Sequence, residues 1–236
     1  MTPTITFIKN HWQMILIVTL IYTLWQTDFV QPIRVLIVFL HELSHAIATV
    51  VTGGEVVEFA VWSNESGHVM SRGGNRFITL TAGYLGSLLF GVLFFLVAVR
   101  TSWDRALLGL FGATMILVAL FYIRHSYPFF FAIITGGLMV AIAWFLSHHY
   151  SDLILRIVGL TSIIYVPYDI FSDTIRWSRI RSDARMLAEE FGGTTIMWGG
   201  LWLVVSLIVI GLCLRFGLPL STNITFKRAA SEKTTL

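Results

Sequence analysis

Seven stretches of this chain, near residues 12 to 30, 33 to 51, 77 to 99, 105 to 123, 127 to 147, 151 to 171 and 195 to 217, are almost continuously apolar. Each covers roughly 17 to 23 residues, the length of helix that crosses the hydrocarbon of a bilayer. Inside that layer every backbone N–H and C=O must be satisfied within the chain, which leaves helices as the means of crossing. The expected fold is therefore an all-α polytopic, multi-pass integral membrane protein with six to seven transmembrane helices. The range reflects the first run, where Gln26, Thr27 and Asp28 interrupt the apolar pattern and permit a tilted or re-entrant segment.

Composition narrows the function classes. Charged residues make up 12% of the chain, about half the share in soluble domains, and no stretch has the makings of a separate soluble domain. The net charge of +3 is spread over connections and the tail, a distribution that suits contact with lipid headgroups and gives nucleic-acid binding no support. Cys213 is the single cysteine, which excludes an intrachain disulfide. The 16 lysines and arginines divide evenly between the two faces of a seven-span model, so they assign no orientation. Lys9 precedes an apolar stretch without a small-x-small cleavage site, the pattern of a retained anchor.

Two connections carry structure of their own. Paired glycines bracket a β-rich run and a turn signal at Asn64 to Gly67, predicting a hairpin over 53–75 between the second and third helices. Residues 172–194 intersperse apolar side chains among charges and end at Gly192 and Gly193, predicting an interfacial helical segment. One membrane domain then covers residues 1–220, followed by a polar, disordered tail over 221–236.

The chemistry lies in "LIVFLHELSHAIATVV", Leu36 to Val51. On a helix His41 and His45 stand at i and i+4 and face one way, the spacing at which two imidazoles reach one zinc ion. Glu42 is one residue round, placed to serve as general base without being a ligand. An unpaired carboxylate in a membrane is costly, which argues that these groups share a task. Catalytic zinc usually takes three protein ligands. The candidates for the third are Asp169 and Asp173, themselves four apart in "YVPYDIFSDTI". Asp169 is favoured because Pro167 frees backbone just before it, with Asp173 the alternative. Asp183, in "RSDARMLAEE", reads as a surface N-cap or ion pair. The small residues of "TAGYLGSLLFG" suit close helix approach, with Ser87 a candidate contact for a substrate carbonyl.

"HELSHA" followed by "TGGEV", the small-residue "AGYLGS" and a later membrane aspartate together resemble the site-2 protease family of intramembrane zinc metalloproteases. "DIFSD" with "SDARMLAE" is similar to a divergent branch of that family lacking the usual Leu-Asp-Gly motif. The resemblance implies His41 and His45 as zinc ligands, Glu42 as base, and Asp169 at the position of the membrane aspartate. It further implies a hairpin that presents a membrane-protein substrate as an added strand, here along Glu55 to Trp62. Tyr168-Asp169-Ile170 departs from Leu-Asp-Gly and leaves the choice between Asp169 and Asp173 open; Tyr84 and Ser87 replace the family's proline and asparagine. Two rival functions remain: a metal-ion transporter, which would carry metal without needing Glu42 as a base, and a catalytically silent scaffold, which would cleave nothing. No residue pattern specifies the oligomeric state.

Overall fold

A computed structural model describes residues 3–176 and 181–224. Most of the expected tail, and the centre of the expected interfacial segment, lie outside the described residues. The elements run α1 (Pro3–Leu24), α2 (Gln31–Val51), β1 (Glu55–Val61), β2 (Gly67–Arg72), α3 (Arg76–Arg100), α4 (Asp104–Tyr122), α5 (Ser126–Phe145), α6 (His148–Ile170), α7 (Asp183–Phe191) and α8 (Thr195–Leu212). A π turn, Phe171–Arg176, prolongs α6 and another, Cys213–Gly217, prolongs α8. Seven of the helices are long and apolar enough to cross a membrane, and the chain is an integral multi-pass membrane protein.

The centre of the bundle is a trio of α2, α3 and α6. Glycine brings their backbones together: a Cβ on Gly159 of α6 would lie 2.7 Å from the Phe95 nitrogen and 2.8 Å from the Gly91 carbonyl of α3. Ser162 Oγ donates to the Ser87 carbonyl at 2.8 Å, and Ser87 Oγ donates to the Tyr84 carbonyl at 3.0 Å. Ser87 is thus buried between α3 and α6, engaged in packing, and does not line the cavity beside α2.

β1 and β2 pair antiparallel, from Glu55 opposite Arg72 to Val61 opposite Gly67. The paired glycines at the base earn their place through backbone geometry, with Gly53, Gly73 and Gly74 at φ of +85°, +69° and +75°. The ribbon lies back along α2. Phe59 is fully buried against Phe39, ring centroids 4.8 Å apart, and the tip reaches the first turn of α2, where Gln31 Nε2 donates to the Ser63 carbonyl.

Helix direction departs from the expected serpentine. His11, near the start of α1, meets Thr222, whose carbonyl accepts from Arg156 low on α6. Trp25, just after α1, packs on Tyr165 and Tyr168 near the far end of α6. So α1 runs parallel to α6. α2 does as well, because it runs antiparallel to α3, with Thr49 at Thr79 and Ser44 at Gly86, and α3 runs antiparallel to α6, with Tyr84 at Asp173 and Ala98 at Arg156. Between Leu24 and Gln31 the chain reaches at most about 25 Å, short of the ~30 Å hydrocarbon layer. Two consecutive parallel helices joined this way cannot both cross in full, which bears out the six-to-seven range for crossings. Arg156, which the even charge tally counts toward one face, sits buried inside the bundle, and Arg34 is half-buried in the first turn of α2.

α1 kinks at His11 (φ −131°, ψ 16°). The Lys9 and Asn10 carbonyls there accept from Asn223 Nδ2 at 2.7 Å and Thr222 N–H at 3.0 Å. Arg156 binds both carboxylate oxygens of Asp152 and the carbonyls of Ala98 and Thr222, so the strap at 221–224 ties α1 to α6.

Candidate metal centre

α2 presents His41 and His45 one turn apart, their Nε2 atoms separated by 3.0 Å. Both face α3, where Gly83 leaves the space they occupy: a Cβ there would lie 2.5 Å from His41 Nε2 and 2.6 Å from His45 Nε2. His45 Nδ1–H donates to the Thr79 carbonyl at 2.7 Å. That bond keeps a proton on Nδ1 and turns Nε2, the ligating nitrogen of a neutral imidazole, inward. Tyr84 stands edge-on to the His41 ring at 4.7 Å.

Closing the group is a residue that the sequence places on the surface. Asp183 Oδ2 lies 3.1 Å from His41 Nε2 and 3.1 Å from His45 Nε2. Ser182 is the N-cap of α7, accepting from the Arg185 N–H, so Asp183 falls inside the first turn and is 8% exposed. Burial alone would raise its carboxyl pKa, but His45's charge and hydrogen bonds from both imidazoles outweigh burial and hold it well below the ordinary value. The expected surface position and N-cap role of Asp183 are therefore corrected, while the expected pairing holds, with the two imidazoles as partners.

Asp169 and Asp173, the expected third ligand and its alternative, border the same cavity without joining this group. Asp173 Oδ2 accepts from the Tyr84 hydroxyl at 3.0 Å, and Asp169 bonds to Tyr165. The π turn beginning at Phe171 carries Asp173 toward α3. Among the described residues, His41, His45 and Asp183 form the set of donors close enough to share one ion. Donors bound about 2.0 Å from a tetrahedral zinc stand about 3.3 Å apart, and the three separations here are 3.0, 3.1 and 3.1 Å. Two nitrogens and a carboxylate oxygen converging in a space that a single Cβ would fill fit a cation between them.

Glu42 is 5% exposed and lines the cavity, within electrostatic range of both imidazoles and Asp183. Gly67 of β2 closes over it, since a Cβ there would lie 2.6 Å from Glu42 Oε1. The cavity measures about 660 Å³ and is bordered along one side by the hairpin from Glu65 to Ser71. The strand at its edge is thus β2; both strands pack on α2, and β1 also packs on α4. The Glu55 to Trp62 run, expected to pair with a substrate, does not border this cavity.

A family model described as peptidase M50B-like matches residues 14–213. No curated protein and no solved structure matches the chain.

Proposed function

We propose that this chain, which belongs to the peptidase M50B-like family, is an intramembrane zinc metalloendopeptidase that hydrolyses a peptide bond in or near a transmembrane segment of a membrane-protein substrate. The observation that carries the reading is the convergence of His41 Nε2, His45 Nε2 and Asp183 Oδ2 beside Glu42. Those three residues would hold zinc. Zinc, when bound, supplies a Lewis acid that polarises a carbonyl and acidifies water.

The remaining work falls to groups of the chain. Glu42 takes a proton from the attacking water at a carboxylate oxygen and returns it to the amine nitrogen as the carbon–nitrogen bond breaks. The Thr79 carbonyl holds the His45 tautomer, and Tyr84 with Asp173 braces His41. A helical substrate hides its carbonyls in its own hydrogen bonds, so it must unwind locally. Pairing with the free edge of β2 would satisfy the backbone so released and hold it extended over Glu42.

Glu42→Gln tests the assignment. The variant is expected to keep about one zinc per chain by elemental mass spectrometry while cleaving no membrane-peptide substrate in reconstituted vesicles. Cleavage at the wild-type rate would remove Glu42 from the mechanism, and metal flux without cleavage in the wild type would favour transport.

A further inference from the structure

The tip of the hairpin carries a residue that its turn does not favour. Trp62 N–H donates to the Ser66 carbonyl at 2.8 Å and Glu65 N–H to the Trp62 carbonyl at 3.0 Å, a tight loop in which Glu65 adopts φ +65°. The left-handed region costs a residue with a Cβ about 1 kcal/mol or more, which is why glycine or asparagine usually stands there. Glu65 instead sets Oε1 2.9 Å from Arg34 Nε in the first turn of α2. The contact is one of charge, since the Nε–H is not aimed at an acceptor.

Arg34 has further ties. Its side chain is 12% exposed, Nη1 donates to the Trp25 carbonyl, and the guanidinium lies 5.7 Å from the Trp25 ring centroid. One half-buried cation therefore joins the end of α1, the start of α2 and the hairpin tip. The base of the ribbon is held separately, by the glycines and by Thr52 Oγ1, which accepts from Asn75 N–H at 2.8 Å. A two-stranded ribbon is marginal alone, and Gly67, on which closure over Glu42 depends, lies nearer the tip than the base.

We infer that Arg34 is a positioning residue: by clamping Glu65 it fixes the hairpin tip, and through it the free edge of β2, in register with Glu42 for an extended substrate. The inference rests on the zinc endopeptidase reading of the site. It explains a strained glutamate at a position where glycine would relieve the turn. It also separates two properties, because loosening the tip should leave the metal donors, held by α2, α3 and α7, where they are.

The test uses the full chain in detergent micelles and two probes. Acetohydroxamic acid chelates the metal and offers almost no backbone; a tripeptide hydroxamate chelates it and offers a strand to β2. Arg34→Gln and Glu65→Asn, the latter tolerant of the left-handed turn, are each expected to keep wild-type zinc content and acetohydroxamate affinity. Each should bind the tripeptide hydroxamate about tenfold more weakly, with Arg34→Lys recovering much of the loss. Amide exchange over residues 67–72 should quicken in Arg34→Gln. Unchanged tripeptide binding in both variants would overturn the inference, as would equal loss of both probes, which would place the effect at the metal. Should Arg34→Gln fail to fold, Glu65→Asn decides alone. A wild type that holds no zinc and binds neither probe would remove the endopeptidase reading itself, and this role with it.

Discussion

Two inner helices, α2 and α6, and the outer α8 show that burial and hydropathy part company in this bundle. In α2 and α6, 67% and 61% of the most apolar window is buried, against 17% in α1 and 22% in α8. Yet α8 has a mean hydropathy of 2.3 and α2 only 1.6. In water the most apolar helix would be the most buried; in lipid the outer helices can be as apolar as they like, and the inner ones are free to carry His41, Glu42 and Asp169. Hydropathy alone therefore does not sort the helices, since inner α3 stands at 2.2 and outer α1 at 1.2; the polar side chains of α2 and α6 mark the chemistry.

Glycines offer the sharpest contrast between the two regions. Gly83→Ala would drive a Cβ into both imidazoles and is expected to abolish zinc binding, whereas Gly137→Ala in α5 meets nothing within 4 Å and should keep a full complement; zinc per chain by elemental mass spectrometry reads both. Next in size comes the choice among aspartates. Asp183→Asn is expected to weaken zinc affinity by roughly a hundredfold or more in a chelator competition, beyond what loss of a supporting group costs, while Asp169→Asn stays within about tenfold. The reverse order would return the third-ligand role to Asp169.

Tyr84→Phe keeps the ring beside His41 and removes the hydrogen bond to Asp173. Its expected cost is about tenfold in zinc affinity, and no change would reduce Tyr84 to packing. Smallest of all, Leu138→Ala on the exposed face of α5, where Leu138 is 58% accessible, should alter unfolding stability by no more than about 0.5 kcal/mol in lipid nanodiscs. A large loss there would mean that the outer helices do more than line the wall.

Much of this contrast is legible in the chain. Spacing alone puts His41 and His45 on one face, because the helical period requires it, and paired glycines announce the hairpin because only they tolerate its backbone. Asp183 is harder. It follows a serine, precedes an amphipathic run and lies 142 residues from His41, so local reasoning makes it a cap; the cap is Ser182, and being one residue further along turns Asp183 inward. The strand at the cavity edge depends on which side of the ribbon α4 covers, a long-range matter. Helix direction is invisible for a simpler reason: an apolar run reads the same whether the chain goes up or down, so α1 looks like the first leg of a serpentine.

The strap over α1 has a consequence for how such a molecule is made. Asn223 and Thr222 donate to the Lys9 and Asn10 carbonyls beside the His11 kink, the first across 214 residues of sequence, and the Thr222 carbonyl also accepts from Arg156. During synthesis α1 emerges ahead of the other described helices and its clasp after them, so α1 waits for its final seat while those helices are threaded. Arg156 stays short of one of its carbonyl partners over the same interval. The order of translation thus makes the closing of α1 follow the emergence of α8, and a ribosome stalled before residue 222 would leave it undone.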